Sequence, residues 1–345
     1  MFNLKWLAAD CIFAAMSAIT GISVVIPNYN GLTLLPQVLP AVVAALQQCD
    51  IASEIIVVDD CSTDDSVELL KNDFPAIRVL RNEINSGFSV TANKGIFAAK
   101  YDWVLLLNSD VKLEPGYFAH LFKYTTEPNV LGVMGRIIGW DDEKIQDGAK
   151  YPFFHGVKIK TSGNYLLKDE AAMTNGLYSM YLSGANAFIH KKNFIDIGGF
   201  NELFSPFYVE DFELSLRAWR LGYKCYFEYN AVCRHRTSAT INSSGKRRSV
   251  KTIYNRNKMF LHAIHLEKRK RVVWFVQLFL EALVHLVTGK WTYIKSMTLF
   301  FKNYNRVRAC RKDLDQKAGK KKLLTVNEVV SEILEAIKGK KIIRF

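Results

Sequence analysis

Residues 103–107, Trp-Val-Leu-Leu-Leu, form an unbroken apolar run that ends abruptly in Asn108, Ser109 and Asp110. Residues 22–27 and 55–58 repeat this form, spilling into Asn28-Tyr-Asn-Gly31 and Asp59-Asp60. A shorter run, 77–80, leads into a polar, glycine-containing loop, 81–87. Short apolar runs of this kind suit strands covered on both faces, as in a parallel sheet. Between them, residues 32–48, 66–71 and 89–100 carry helical spacing, with Ser62 to Ser66 suited to capping the second helix. Strands alternating with helices predict βαβ units and a parallel sheet whose ligands collect at the carboxyl ends of its strands. A dinucleotide site would need G-x-G-x-x-G after the first strand; the chain has Pro-Asn-Tyr-Asn-Gly there.

The second half has a different pattern. Residues 130–140 and 178–190 read as longer strands, joined by an irregular stretch rich in Lys, Gly and Tyr. An aromatic segment turns acidic at Glu210-Asp211 and opens a helix that stops at Gly222. Residues 223–232 are strand-like and precede Cys233-Arg-His-Arg236, and residues 238–249 read as a mobile polar loop. Carboxylates at such positions can accept hydrogen bonds from a base or ribose, bind a cation, or act as a general base. Any one of them alone reads as a cap or an ion-pair partner, as Asp110 could be for the turn 111–116.

Charge divides the chain. From Lys246 onward there are 25 Lys/Arg against 7 Asp/Glu; before it there are 21 against 26. A slightly acidic body therefore carries a strongly basic tail. No zinc-finger, RNP-like or helix-turn-helix pattern accompanies the basic residues, so no nucleic-acid partner is expected. Residues 272–287 are apolar except Gln277, Glu281 and His285, which form one polar stripe on a helix. Lys268-Arg-Lys-Arg271 precede this run, and Lys290, Trp291, Tyr293 and Lys295 follow it. It is short of the about twenty apolar residues a bilayer needs, and basic and aromatic flanks suit a helix lying in an anionic interface. Packing on the body or in a homodimer is the alternative. Six cysteines without a C-x-x-C pair read as reduced thiols. Residues 1–20 read as a peripheral segment, and the Asn242-Ser-Ser sequon as unused.

Seven stretches appear in an order that resembles family 2 inverting glycosyltransferases, similar to bacterial rhamnosyltransferase-like enzymes of surface glycans. They are Val24-Val-Ile-Pro-Asn-Tyr-Asn-Gly31, Ile56-Val-Val-Asp-Asp-Cys-Ser-Thr-Asp-Asp-Ser66, Arg81-Asn-Glu-Ile-Asn-Ser-Gly-Phe88, Ala92-Asn-Lys-Gly95, Leu106-Leu-Asn-Ser-Asp110, Gly198-Gly-Phe200 and Glu210-Asp211 with Arg217. The resemblance covers roughly residues 22–265. It implies an α/β fold of the A type: a Rossmann-like mixed sheet flanked by helices, with the basic amphipathic helices appended. Residues 21–112 would be the nucleotide-sugar half, 113–265 the acceptor half and 266–345 a membrane-interface tail.

The resemblance also implies roles. Asp59, with Asp60 beside it, would meet the nucleoside in a pocket shaped by Pro27, Asn28, Tyr29 and Asn30. Asn85, Gly87, Asn93, Asn108 and Ser109 would line the nucleotide-sugar side. Asp110, with His235 as a second ligand, would hold Mg²⁺ or Mn²⁺ on the diphosphate. Asp211 would be the general base with Glu210 beside it, and Gly184 and Arg217 would lie on the acceptor side. The acceptor would be a glycan or a polyprenyl-linked chain, met at the cytoplasmic face of the plasma membrane. The family's D-x-D is here Asn108-Ser-Asp110, which removes one acidic ligand. Q-x-x-R-W, the motif of processive synthases, is absent, which favours a single addition. A nucleotidyltransferase and a non-catalytic nucleotide-sugar-binding protein are the rival expectations.

Overall fold

A computed structural model describes residues 19–169, 173, 176–236 and 244–345. The expected peripheral segment (all but its last two residues) and the Asn242 sequon lie outside them.

The first half follows the expected alternation: β1 (Ile22–Asn28), α1 (Leu35–Gln47), β2 (Ser53–Asp59), α2 (Ser66–Asp73), β3 (Arg78–Arg81), α3 (Phe88–Ala98) and β4 (Trp103–Leu107). All four strands are parallel, ordered β4-β1-β2-β3. Strand side chains alternate between faces, so the apolar runs feed two cores. Val25, Ile56, Val58, Val104 and Leu106 pack with Ala92 and Ile96 of α3 on one face. Val24, Ile26, Val57 and Leu105 pack with Leu35, Val38, Leu39 and Val42 of α1 on the other. Each such side chain contributes about 1.5–3 kcal/mol by leaving water. Within the stretch expected to cap α2, Asp65 occupies the N-cap position without a side-chain bond, and Asp64 supplies the acceptor: it takes the N–H of Ser66, the helix's first residue (3.1 Å), and of Leu32 (3.0 Å), tying the β1 and β2 loops together.

The second half adds β5 (Val111–Leu113), β6 (Val130–Gly139), β7 (Ile145–Asp147), β8 (Pro152–His155), β9 (Lys158–Thr161), β10 (Tyr165–Leu167), β11 (Leu177–Tyr178), β12 (Asn186–His190), α4 (Lys191–Asp196), α5 (Glu210–Arg220) and β13 (Lys224–His235). β12 lies antiparallel between β4 and β6, and β13 runs parallel to β6 beyond, which makes the sheet mixed. Three expectations change here. The run 178–190 is broken, because Ser179 hydroxyl donates to the Tyr181 carbonyl (2.8 Å) and Leu182 N–H donates to Ser215 (3.0 Å), diverting the backbone from a ladder. The expected turn at 111–116 begins with strand β5, paired with β13. The irregular stretch holds β7 to β10, with β8 and β9 as a separate hairpin.

The C-terminal region folds as α6 (Ser244–His265), α7 (Lys268–Val287), α8 (Trp291–Lys302), α9 (Tyr304–Ala318), α10 (Val326–Ala336) and β14 (Ile342–Arg344). The polar loop expected at 238–249 is thus helical from Ser244, and its earlier residues lie outside those described. The helices are part of the body. Trp274, Leu278, Phe300, Val307, Leu314, Val329 and Ile333 join the same core as β1, β2 and β4, and β14 pairs with β10. No described helix is long and apolar enough to cross a membrane.

A buried polar network locks α5 to this layer. The Arg217 guanidinium donates to both Glu213 oxygens (3.1 and 2.8 Å) and to the carbonyls of Ile197 and Gly199. His265 Nε2 bonds Glu213 Oε1 (3.2 Å) while Arg220 faces its Nδ1 (3.4 Å), an arrangement that fits a neutral imidazole. Burial pushes His265 down to about 4, and does the same to His262. Histidines in the unfolded chain hold protons up to about pH 6.5. Between pH 4 and 6.5 the unfolded state therefore binds more protons at these sites, and their contribution to stability is lost as pH drops through that window. The melting point of wild type minus that of a His265→Gln variant should therefore fall between pH 6.5 and 4.5. A constant difference over that range would show that the His265 imidazole is not held neutral.

Candidate active site

The carboxyl ends of β1, β2 and β4 lie on one edge of the sheet, and register sets Asn28 directly beside Asp59. Asn28 amide donates to Asp59 Oδ1 (3.2 Å), and Ser62 N–H donates to Oδ2 (3.0 Å). Arg81 lies 3.5 Å from the same carboxylate. Asp60 accepts from Asn82 amide (2.8 Å), Ser86 N–H (2.8 Å) and Gly87 N–H (2.9 Å), so it folds the loop that carries Asn85 over the strand ends. Gly87 has φ +85°, and a Cβ there would meet the Pro206 backbone at 2.6 Å. Only glycine fits. Pro27 is the penultimate residue of β1, and Tyr29 is half exposed just beyond it. Asn30 ties its own loop to the next, through Ser62 and the Thr63 N–H.

Two residues expected to line the site make internal bonds instead. Asn93 accepts from Phe200 N–H (2.8 Å) and donates to the Phe200 carbonyl (2.9 Å), pinning the Gly198-Gly-Phe turn to α3. Arg217 pins that turn from its other side. Both hold the scaffold because each buried donor needs an acceptor.

After β4, Asn108 N–H bonds the Ala185 carbonyl, Ser109 follows, and Asp110 reaches His235. His235 Nε2 lies 3.5 Å from Asp110 Oδ2. Its Nδ1 lies 2.7 Å from Gln146 Oε1, while Gln146 amide donates to the His235 carbonyl (3.3 Å). That pair fixes the proton on Nδ1 and leaves the Nε2 lone pair facing Asp110. Asp110 Oδ1 is buried with no hydrogen-bond partner. An unpartnered carboxylate oxygen, a free imidazole lone pair and a carbonyl orienting the opposite ring nitrogen are what a divalent cation takes from a protein. The residues present therefore fit a metal, with its remaining ligands left to substrate and water. Among the described residues, no cluster of three or more His, Cys, Asp or Glu surrounds one point.

Glu210 and Asp211 begin α5 after two non-glycine residues in the left-handed region, Tyr208 (φ 71°) and Val209 (φ 74°). Asn257 of α6 holds this turn, donating to the carbonyls of Phe204 (2.6 Å) and Tyr208 (2.8 Å). Asp211 accepts from its neighbour Phe212 N–H (2.7 Å) and from the backbone of Gly184, which is Gly184's part in the site. Burial raises both carboxyls above the usual range, with Asp211's charge adding to the rise at Glu210 and Asp147's at Asp211. Glu210 Oε2 has no partner.

Asp211 opens on a cavity of about 350 Å³ lined also by Lys150, Tyr181, Tyr208, Tyr254, Lys160 and Lys258. Tyr181 hydroxyl donates to Asp147 (2.9 Å), which is also paired with Lys150. β7 thus joins the two halves of the cleft: Gln146 orients His235, and Asp147 lies beside Asp211. None of Gln146, Asp147, Lys150, Tyr181 or Asn257 stood out in the sequence; for Lys150 alone, the abundance of Lys and Tyr in the irregular stretch was a signal.

Residues 23–198 match the profile of Glycosyl transferase family 2. The chain is 26% identical over 219 residues to the O-antigen chain rhamnosyltransferase RfbN of Salmonella typhimurium, covering 62% of this chain and 66% of that one. It is 36% identical over 89 residues to an uncharacterised glycosyltransferase of Haemophilus influenzae, 26% of this chain and 29% of the relative. The chain therefore spans less than two thirds of either relative. Among solved structures, GalNAc-T7 with UDP, GalNAc and Mn²⁺ superposes with a TM-score of 0.61 at 15% identity, over 92% of this chain and 57% of that one. The mannosyltransferase PcManGT of Pyrobaculum calidifontis, with GDP-Man and Mn²⁺, gives 0.50 at 15% identity over 96% of both.

The raised carboxyls have a testable consequence. The folded state keeps protons that the unfolded chain has lost above about pH 4.5. Their contribution to stability is complete below that pH and disappears as pH rises through their folded values. Glu210→Gln should therefore melt higher than wild type at pH 8 and equal to it at pH 5; equal melting at both would show Glu210 to be an ordinary carboxylate. By its sequence profile, this chain belongs to glycosyl transferase family 2.

Proposed function

We propose that the protein transfers a single sugar from a nucleotide-diphosphate sugar to a hydroxyl of a glycan or lipid-linked acceptor, with inversion, in cell-surface polysaccharide synthesis. The observation that carries this reading is the raised, solvent-reaching Asp211 at the mouth of an aromatic cavity, beside an Asp110–His235 pair that fits a cation. The strand-end loops of Asn28, Asp59 and Asp60 take the nucleotide. Asp110 and His235 would hold Mg²⁺ or Mn²⁺. When bound, that ion supplies positive charge against the departing diphosphate.

Asp211, above the usual carboxylate range, is matched to removing a proton from an acceptor hydroxyl near neutral pH. The Gly184 and Phe212 N–H groups fix its orientation, and Tyr181 and Tyr208 wall the acceptor sugar. Attack from the Asp211 side on the anomeric carbon displaces the nucleoside diphosphate from the opposite face, so one step inverts the centre. Neutral Glu210 beside it spares Asp211 a second negative charge. A general base contributes about 10²–10⁴-fold. Asp211→Asn should therefore lose transfer by that order while keeping a Mn²⁺-dependent thermal shift with its donor, and Asp110→Ala should lose the shift. Full transfer by Asp211→Asn would refute the assignment. Pyrophosphate release in place of a nucleoside diphosphate would favour a nucleotidyltransferase.

A second proposal concerns α7, at the inner face of the plasma membrane. Its polar stripe faces the body: Glu281 pairs with Lys158 and accepts from Tyr293 (2.8 Å) and Gln277 (2.9 Å). Val272, Val276, Phe279, Leu280, Leu283 and Val287 are left exposed, with Trp291 beyond. Contiguous apolar surface rimmed by Lys and Arg suits an anionic bilayer surface. Val276→Glu with Leu283→Glu should abolish co-sedimentation with phosphatidylglycerol vesicles and leave the melting point unchanged. Undiminished sedimentation would exclude this face as the contact. Truncation after Leu266 is a poor test, because it removes part of the core.

A further inference from the structure

The wall of the Asp211 cavity opposite the base is cationic. β9 supplies Ile159, Lys160 and Thr161, and α6 supplies Tyr254, Lys258 and His262. Two neighbouring lysines are already neutralised: Lys150 by Asp147, and Lys158 by Glu281. Lys160 and Lys258 have no carboxylate partner among the described residues. Both are half-buried. Lys258 Nζ lies 4.8 Å above the Tyr254 ring, which holds it toward the cavity. Burial, followed by the charges of Lys160 and Lys158, pulls Lys258 below its usual value. His262 brings no negative charge to this wall, since an imidazole is neutral or cationic, and its two ring nitrogens face the Lys258 and Ile159 carbonyls. Like charges held together in a partly desolvated wall cost stability unless something negative sits between them. The buried side of α7 packs behind this wall, where Trp274 stacks on His262 (6.0 Å between ring centres).

Resting on the transferase reading above, we propose that the acceptor is anionic and that Lys160 and Lys258 grip its phosphate or carboxylate while Asp211 receives its hydroxyl. An ammonium pair suits an anion whose orientation is set elsewhere, here by the tyrosines. The charge would come from a lipid phosphate or from a soluble acidic sugar, and the two are separable by experiment.

The test is isothermal titration of the full chain in EDTA, which keeps anions from binding through a metal at Asp110. The probes are dodecyl phosphate, inorganic phosphate and glucuronate, with octyl glucoside as the neutral control. Wild type should bind at least one anion in preference to octyl glucoside. Lys160→Ala with Lys258→Ala should weaken that binding by about tenfold or more, the loss of charge-assisted hydrogen bonds. Lys160→Arg with Lys258→Arg keeps the charge and should restore most of it. Preference for dodecyl phosphate over inorganic phosphate assigns a lipid source, and preference for glucuronate an acidic sugar. No anion preference in wild type, or equal binding by the alanine pair, overturns the inference. Nucleotide-sugar thermal shifts on the same variants keep the two readings apart. Donor binding that survives in both variants leaves the transferase reading standing whatever the anions do, and absence of donor binding in wild type would remove that reading itself.

Discussion

The site depends on a backbone turn that the chain would not choose by itself. Tyr208 and Val209 both sit at positive φ, where a β-branched residue is strongly disfavoured. Such residues cost of order 1–3 kcal/mol each and persist only where their surroundings over-determine them. Here the surroundings are Asn257, whose one amide bonds consecutive segments of the loop, and the buried Glu213–Arg217–His265 network that anchors α5 from below. The turn re-aims the chain so that Glu210 and Asp211 open a helix, with Asp211 lining the cavity and Glu210 buried beside it. Partial positive charge at that helix end and two backbone N–H groups favour ionised Asp211, while burial opposes it. The balance leaves a carboxyl close to the proton affinity that a neutral-pH base requires.

This dependence explains why the C-terminal helices are inseparable from the catalytic body. Asn257 and His265 both lie on α6, and Arg311 of α9 donates to the Ile264 and Leu266 carbonyls at the end of that helix (2.7 and 2.9 Å). Arg220 of α5 reaches the Leu324 carbonyl (2.9 Å). The region expected to be an attached tail is thus the support for Asp211. Its basic charge is put to several uses: some lysines and arginines cap helix ends, and others remain on the outer surface around α7.

The parallel half was legible because its signal is local. Runs such as Val104-Leu105-Leu106-Leu107 are buried on both faces, and each ends where the sheet edge meets solvent, so apolar patterning alone placed Asp59, Asp60 and Asp110 at one edge. Their motif spacing then gave the family. The other half was poorly legible because its contacts are long-range. Gln146 matters only because β7 lies where it meets His235, 89 residues away, and Asn257 only because α6 crosses the loop before Glu210. Neither residue type nor spacing carries that information. Asn93 and Arg217 show the converse: both lie within motifs of the family, yet their bonds run into the scaffold.

Buried polar groups around the site differ in how far they are satisfied. Asp60 takes three donors, and Arg217 meets a carboxylate and two carbonyls. At the cleft, Asn28 Oδ1, Asp110 Oδ1 and Glu210 Oε2 are buried without partners. Buried unsatisfied acceptors cost about 1–3 kcal/mol each, and in a folded chain they call for an explanation. For Glu210 the explanation is the proton it retains. For Asp110, whose neighbour His235 turns a lone pair toward it, a cation would satisfy both atoms at once. For Asn28, at the end of β1 beside Asp59, a donor from a bound base or ribose would do the same. Buried atoms such as Tyr117 Oη and Glu267 Oε2 are also unpartnered, so an unpaired acceptor gains meaning only from its neighbours: Asp59 beside Asn28, His235 beside Asp110, and Asp211 beside Glu210.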